Sequence, residues 1–293
     1  MSFLTPKVGF SDYLELTKPR LSMLSVLTTL IGYVAARPPW VPVEFISLVI
    51  GTCLAAGGVA ALNQWMEHDT DAQMKRTADR PIPTGKVPTG SAYVLGTLMC
   101  AASLGIIFVQ VNGLAAIFTL LTIISYLGWY TPAKRRSRWS TEIGALAGAF
   151  PPLIGWAAAM GHISTLGWIL FGVLFFWQMP HFMAIAWTYR KDYATVHFPM
   201  LPVRDETGGL VSGWSFVCTV LLLIVSLAPF FVGLATAYYL MVASITGLWF
   251  LWRAAAFLKP EGRDQSARKL FFTSIIYLPI TLLALVADRL VFF

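Results

Sequence analysis

The chain has 293 residues, of which 57% are hydrophobic and only 12% are charged, and its mean hydropathy is +0.69. Soluble domains carry about 25% charged residues, so this composition excludes a soluble fold and indicates a membrane protein. The formal net charge of +7 requires no nucleic-acid partner, because the basic residues lie mainly in short segments between apolar runs, where they set membrane topology.

Apolar segments long enough to cross a bilayer recur along the whole chain. Crossing about 30 Å of hydrocarbon takes roughly 20 mostly apolar residues in a helix. The sequence predicts nine such helices, at 21–36, 43–66, 91–109, 112–131, 141–160, 164–189, 210–233, 235–257 and 269–290. We therefore expect an all-α polytopic membrane protein, with nine transmembrane helices in one bundle forming a single domain over 1–293. Pro151 and Pro152 predict a kink in the fifth helix.

The distribution of basic residues predicts the orientation of the bundle. With the amino terminus in the cytoplasm and the carboxyl terminus outside, 19 of the 21 Lys and Arg residues lie on the cytoplasmic side, including Lys7. Arg37 and Arg289 are the exceptions. Such asymmetry is typical of the cytoplasmic side. The acidic residues Asp12 and Glu15 argue against a transit peptide, so we expect the plasma (inner) membrane of a prokaryote and a site facing the cytoplasm.

The two longest cytoplasmic loops, 67–90 and 190–209, follow the second and sixth helices. The first runs from Asp71 to "RPIP" and the second from Asp192 to "PMLP". The similar position of the two loops suggests a four-helix repeat, 14–135 and 141–257, followed by a ninth helix at 269–290. Both loops would then lie over the centre of one bundle.

A polar face lies at the end of the second predicted helix. Asn63, Glu67 and Asp71 are spaced i, i+4, i+8, so they share one helix face at steps of about 6 Å, whereas Asp69 points away. Ionisable groups at the end of a span are costly and indicate function. Carboxylate and amide oxygens with open positions for phosphate oxygens are what Mg²⁺ prefers. Asp192 adds a second acidic group on the same side.

Basic residues follow this acidic face within the next turns. Lys75, Arg76 and Arg80 would neutralise the oxygens of a phosphate. Carboxylates and cations together indicate a metal and a diphosphate. The alternative is a polar helix end whose charges pair with each other in water.

Several motifs resemble those of one enzyme family. They are "NxxxExxxDxxMxRTxxRPIPxG" from Asn63, "LTKPRLSMLSVLTTLIGY" at 16–33, "AGAFPPLIGWAA" at 147–158, "WQMPHFMAIAW" at 177–187 and "DYATVHFPMLPV" at 192–203. The sequence resembles the UbiA-type intramembrane prenyltransferases and, within them, the protohaem IX farnesyltransferase (haem O synthase) subfamily. The resemblance covers about 14–205, and the last three helices match only as apolar spans.

The resemblance implies a reaction. Farnesyl diphosphate would ionise, a vinyl group of haem B would attack the farnesyl cation, and water would complete haem O. Mg²⁺ is the implied cofactor. The lipid bilayer and a haem A synthase or terminal oxidase assembly are the implied partners.

The resemblance also assigns roles to residues. Metal ligands would be Asn63, Glu67, Asp71 and Asp192, some of them through water. Diphosphate contacts would be Lys75, Arg76, Arg80, Lys134 and Arg135, with the last two on a loop after the fourth helix. The family usually has Asp at the position of Glu67, and a small pair where this chain has Val196 and His197. His197 could be an extra phosphate donor or a solvated surface histidine, and we expect the latter.

Aromatic residues and one histidine complete the predicted site. Pro180 interrupts helical hydrogen bonding beside His181, which could ligate haem iron, bind a propionate or act as a base for water, or could be a core histidine satisfied by a neighbouring carbonyl. Tyr126 and Tyr130 could face the allylic cation or form part of an interfacial belt. Tyr193 is a further candidate contact.

Two other functions are compatible with parts of this sequence. A UbiA-type enzyme could prenylate another acceptor, such as an aromatic acid, a quinone precursor or a chlorophyllide. An ion-coupled transporter would use acidic residues near the middle of the membrane. The acids here lie at helix ends, which disfavours the transporter.

Overall fold

The computed structural model describes residues 9–293 and leaves Lys7 outside that range. Helices account for most of the described chain. In order they are α1 (Phe10–Leu16), α2 (Pro19–Ala36), α3 (Pro42–Asp71), α4 (Thr89–Gln110), α5 (Gly113–Ile124), a π-helical turn (Ser125–Tyr130), α6 (Thr131–Arg136), α7 (Ser140–Ala149), α8 (Pro151–Met160), α9 (Thr165–Thr188), α10 (Arg190–Thr195), α11 (Leu201–Arg204), α12 (Gly209–Phe231), α13 (Ala237–Leu258) and α14 (Arg263–Phe292).

Within residues 9–293, nine helical stretches are long and apolar enough to cross a membrane. Seven are single helices: α2, α3, α4, α9, α12, α13 and α14. The other two are composite: Gly113–Arg136 joins α5 to α6 through the π-helical turn, and Ser140–Met160 joins α7 to α8. The predicted nine-helix membrane fold is confirmed.

Several helices extend beyond the predicted spans. α3 continues to Asp71, so the whole acidic face is helical. The fourth span continues to Arg136, so the prediction that Lys134 and Arg135 lie on a loop was wrong. Lys and Arg are good helix formers, and charged side chains near the interface let a helix continue past the hydrocarbon boundary that hydropathy detects.

The predicted kink at Pro151 and Pro152 is confirmed, because α7 ends at Ala149 and α8 begins at Pro151 within one span. Past this kink α8 packs closely on α2. A Cβ atom added to Gly155 would collide with the Thr29 carbonyl oxygen, and one added to Gly32 would collide with the Pro152 carbonyl oxygen. Only glycine permits this backbone approach.

Short helices and turns cover one end of the bundle. The segment after α3 forms consecutive turns, and the segment after α9 folds into α10 and α11. The guanidinium of Arg76 joins the two segments through a hydrogen bond of 2.9 Å to the Tyr193 hydroxyl. The expectation that both loops lie together over the bundle is consistent with this contact.

Candidate active site

A cavity of about 370 Å³ lies inside the bundle beneath these two segments. Its walls are largely apolar along α3, α8 and α9, where Val59, Ile154 and Leu174 line it. Polar and aromatic side chains concentrate elsewhere on its surface: Lys18, Thr119, Tyr126, Tyr130, Gln178, His181 and Tyr193. Small-molecule sites are typically concave and mostly apolar, with a few placed polar groups.

The predicted acidic face is buried next to this cavity. The exposed fractions of Asn63, Glu67 and Asp71 are 2%, 4% and 1%. Asn63 Nδ2 donates to Glu67 Oε2 at 3.0 Å and to the Thr131 hydroxyl at 3.2 Å. Because the amide donates on both contacts, its carbonyl oxygen makes neither of them. Sequence reasoning missed Thr131, which sits in a basic, Pro-containing stretch with no distinguishing motif.

Two cations pair with the two carboxylates of this face. Lys134 Nζ lies 2.9 Å from Glu67 Oε2, and the Arg80 guanidinium lies 2.5 Å from Asp71 Oδ2. Arg80 and Lys134 were both predicted diphosphate contacts, and the structure brings both to the acidic face. Buried carboxylates require such pairing, since an unpaired buried charge is strongly unfavourable.

The residues of this face are compatible with a divalent cation. Glu67 Oε1 is buried and has no hydrogen-bond partner among the described residues, so a hard cation could satisfy it. Within residues 9–293, no group of three or more His, Cys, Asp or Glu side chains converges to hold a metal alone. Mg²⁺ is commonly bound by one or two carboxylates plus substrate phosphates and water, which matches this arrangement.

Asp192 does not join the acidic face in the structure. It lies half-buried in the first turn of α10, outside the cavity lining, and the expected convergence with Glu67 and Asp71 is not found in the described chain. The spacing argument that placed Glu67 and Asp71 on one helix carries no information about a residue on a different loop. His197 is exposed with a left-handed φ of 54°, consistent with a surface residue.

Like Arg80 and Lys134, the remaining predicted basic residues do not line the cavity, and unlike those two they do not pair with the acidic face. Arg135 forms two hydrogen bonds to the Asp69 carboxylate, at 2.5 and 2.9 Å, on the half-exposed outer side of α3. Lys75 is exposed and likewise does not line the cavity. Arg76 stacks 5.1 Å above the rings of both Tyr189 and Tyr193. Arg76 and Tyr193 thus connect the two covering segments.

Lys18 lines the cavity, whereas the sequence predicted only that it is one of the 19 basic residues on the cytoplasmic side. It precedes α2 with a left-handed φ of 46°, and Pro19 follows at the first helical position. Burial, and secondarily Arg80 and Lys134, lowers the pKa of Lys18 from 10.5 to about 7. The motif "TKPR" could have identified it. Proline is favoured at the first position of a helix, so this motif places Lys18 directly at the amino-terminal end of α2.

Tyr126 and Tyr130 line the cavity, as the sequence analysis allowed. Both belong to the π-helical turn, and their rings lie 5.0 Å apart at 72°. Lys134 Nζ lies 4.7 Å from the centre of the Tyr130 ring. The absence of a side chain at Gly144 makes room for that ring, because an added Cβ would come within 2.6 Å of it. Single π-helical turns are frequent at functional sites.

His181, on α9, also lines the cavity. Its Nδ1 lies 2.7 Å from the Ser274 hydroxyl of α14, and its ring stacks on Trp177 at 4.6 Å. Pro180 removes one helical hydrogen bond just before it. The partner of Nδ1 is thus a side-chain hydroxyl, and not the neighbouring backbone carbonyl that the sequence analysis gave as an alternative. Ser274 had no sequence signal, since α14 matched only as an apolar span.

The chain is similar to proteins of one family. Residues 25–276 match the UbiA prenyltransferase family. A protoheme IX farnesyltransferase from Opitutus terrae is 70% identical over 96% of this chain and 95% of its own.

Solved structures share the fold. A digeranylgeranylglyceryl phosphate synthase has a TM-score of 0.82 at 18% identity, covering 95% of this chain and 98% of its own. A UbiA homologue from Archaeoglobus fulgidus, bound to GPP and Mg²⁺, has a TM-score of 0.66 at 11% identity, covering 94% and 99%. Together with the buried acidic face above an intramembrane cavity, the match over most of the sequence shows that the chain belongs to the UbiA prenyltransferase family.

Proposed function

We propose that this protein transfers the farnesyl group of farnesyl diphosphate to a vinyl group of haem B, with addition of water, to give haem O. The observation that carries the proposal is the buried face of Asn63, Glu67 and Asp71, paired with Lys134 and Arg80 above an apolar cavity. The name of the 70% identical relative supports the choice of donor and acceptor.

The basic residues around the acidic face would bind the departing diphosphate. Three basic side chains lie close together there: Arg80, Lys134 and Lys18. The charges of Arg80 and Lys134 both contribute to the lowered pKa of Lys18. Developing negative charge on the leaving group is stabilised best by such fixed donors in a site with little water. Arg76 would reach the same ligand from the covering segment, while Lys75 and Arg135 would act from the periphery.

The cavity walls would protect the farnesyl cation once diphosphate has left. Val59, Ile154 and Leu174 provide an apolar lining that excludes water from C1 until the acceptor attacks. The faces of Tyr126 and Tyr130 carry negative quadrupoles that favour a nearby cation. Tyr193, which lines the cavity from α10 in the second covering segment, would close this end.

Mg²⁺, when bound, would polarise the diphosphate and neutralise its charge during ionisation. Asn63, Glu67 and Asp71 would hold it. Asp192, which does not meet these side chains in the structure, is proposed to contribute through a bridging water molecule. The fold neighbour bound to GPP and Mg²⁺ supports a divalent cation. Arg80 and Lys134, which pair with these carboxylates without ligand, would then be free to transfer their hydrogen bonds to phosphate oxygens.

The two alternative functions are less well supported. Prenylation of another acceptor uses the same acidic face, and the identity to a protoheme IX farnesyltransferase is the observation that favours haem. An ion-coupled transporter is disfavoured by membership of a prenyltransferase family. A haem A synthase or terminal oxidase partner stays a prediction.

The location of the site is also part of the proposal. The bacterial relative and the asymmetry of basic residues support an inner-membrane protein with a cytoplasmic amino terminus, an external carboxyl terminus and a cytoplasmic site. Single cysteines introduced at Thr84 and at Gly161, in connections at opposite ends of helices, would test this. In intact cells an impermeant thiol reagent should label only the cysteine at Gly161; labelling at Thr84 would reverse the topology.

The direct test of function is mass spectrometry of porphyrins after purified protein is incubated in detergent with haem B, farnesyl diphosphate and Mg²⁺. We expect haem B to gain one farnesyl group and one hydroxyl group, because the captured water loses a proton, and EDTA to prevent this. If haem stays unmodified while an aromatic acceptor is prenylated, the family assignment stands and the proposed acceptor is wrong.

A further inference from the structure

A hydrogen-bonded chain connects His181 to α14. His181 Nδ1 lies 2.7 Å from Ser274 Oγ, and Ser274 Oγ donates to the Phe271 carbonyl oxygen at 2.5 Å. The Ser274 carbonyl oxygen accepts from Trp177 Nε1 at 2.8 Å. Trp177 and His181 are one helical turn apart on α9, so α14 fixes both rings at once.

The number of protons available to these hydrogen bonds indicates which tautomer the imidazole of His181 adopts. A serine hydroxyl has one proton, and that of Ser274 is given to the Phe271 carbonyl. Both contacts of Ser274 Oγ are hydrogen bonds at once only when it accepts from His181, so we assign the proton to Nδ1. In the neutral ring Nε2 then has a free lone pair.

The neighbours of the ring disfavour a charged form. Trp177 stacks on it at 4.6 Å, and Phe271 and Phe182 each lie 5.1 Å away, so three aromatic rings surround it. Its hydrogen-bond partner, Ser274, is neutral. An imidazolium here would be a poorly solvated charge without a carboxylate in contact, at least among the described residues.

These facts separate the three roles that a cavity histidine could have. A neutral Nε2 with a lone pair cannot donate to an ionised propionate, because both groups are acceptors. Action as a base would create the disfavoured imidazolium. Coordination of a metal requires a neutral imidazole whose other nitrogen is held by a hydrogen bond. The arrangement around His181 meets that requirement.

We propose that His181 Nε2 is an axial ligand of the iron of the haem acceptor, and that Ser274 is a positioning residue that fixes the tautomer and the ring plane. This rests on the proposed function, since it takes haem as the acceptor. The coordinate bond fixes the macrocycle in the cavity that also contains Tyr126 and Tyr130, which aligns a vinyl group with the farnesyl donor.

The test is a titration of the purified protein with haem B, without farnesyl diphosphate, followed by absorption and electron paramagnetic resonance spectroscopy. We expect a histidine-ligated spectrum for the natural protein. His181→Ala should lose it, and added imidazole should restore it. Ser274→Ala should weaken haem binding about tenfold and broaden the spectrum, whereas Ser274→Thr, which keeps the hydroxyl, should retain both.

The control is His162→Ala, because this exposed histidine lies outside the cavity and should leave the spectrum unchanged. A histidine-ligated spectrum that persists in His181→Ala would overturn the inference. So would Ser274→Ala that matches the natural protein. A poorly folded His181→Ala would be replaced by His181→Gln, judged against the same spectra.

Failure of this inference is distinguishable from failure of the proposed function. Haem O formation by the natural protein, measured separately, tests the function. If haem O forms while His181→Ala retains the histidine-ligated spectrum, only the inference is wrong. If the natural protein leaves haem unmodified but prenylates another acceptor, the function is wrong.

Discussion

The ammonium of Lys134 lies 2.9 Å from the carboxylate of Glu67, so the end of the fourth span is joined to the acidic face of the second. Arg80 and Asp71 form the equivalent pair beside it. The acidic face is therefore neutralised by the protein when no ligand is bound. We expect a divalent cation and a diphosphate to bind together, because each compensates the charge that the other adds.

Replacing Lys134 by Met should remove both the diphosphate contact and the partner of a buried carboxylate. We expect kcat/KM to fall at least about 100-fold, and stability to fall by about 3 kcal/mol as Glu67 is left unpaired. Lys134→Arg, which keeps the charge, should lose less stability. Steady-state kinetics and unfolding in detergent would measure both effects. Unchanged stability in Lys134→Met would contradict the pairing.

Asp71→Ala should abolish turnover while the protein stays folded in the membrane. The reason is the loss of a buried carboxylate proposed to hold Mg²⁺. The matched control is Asp69→Ala on the same helix. Its half-exposed ion pair with Arg135 should contribute less than about 1 kcal/mol to stability, and its loss should change activity little. Haem O formation measures the difference. Similar losses in the two variants would argue against a special role for the acidic face.

Glu67→Asp should retain substantial activity, because a shorter carboxylate still supplies oxygen ligands and the family usually has Asp at this position. Glu67→Gln should lose most activity, since an amide keeps the size but removes the charge. The Mg²⁺ concentration required for half-maximal rate is the informative measurement. Equal activity in the two variants would show that charge at Glu67 is dispensable.

Lys18 predicts a pH dependence of donor binding. Its pKa is lowered to about 7, so above that pH it is largely neutral in the ligand-free protein. A bound diphosphate favours the ammonium, so binding takes up a proton, and affinity should fall by up to about tenfold per pH unit between pH 7 and 9. Below pH 7 Lys18 is already largely protonated, so it should add no pH dependence to the affinity for the donor.

The control for this pH effect is Lys18→Gln. It should bind farnesyl diphosphate more weakly at pH 7 and lack the extra dependence above it. Calorimetric titrations in two buffers of different ionisation enthalpy would count the protons directly. Parallel pH profiles for the natural protein and Lys18→Gln would show that Lys18 does not titrate with binding.

Gly155→Ala should destabilise the bundle, because its Cβ would collide with the Thr29 carbonyl and force α2 and α8 apart. Overpacking of this kind costs about 1–3 kcal/mol. Gly105→Ala is the matched control, since nothing lies within 4 Å of its added Cβ and it sits in the exposed interior of α4. Thermal unfolding in detergent should separate the two; a tolerated Gly155→Ala would mean that the helices can shift.

The sequence alone determined the nine spans and the acidic face. Apolar runs must form helices in a bilayer, where every backbone polar group needs an internal partner, so hydropathy fixes their number. Asn63, Glu67 and Asp71 share a face by local helical geometry. Family motifs supplied the chemistry expected of that face.

Tertiary structure decided which side chains meet across the bundle. Sequence gave no reason for Lys134 to reach Glu67 while its neighbour Arg135 turns outward to Asp69, because a rotation of about 100° per residue separates the two on the end of a helix. It also gave no reason to pair His181 with Ser274, which lies 93 residues away on an otherwise apolar helix. Such contacts depend on how helices pack, and helix packing leaves no local pattern in the chain.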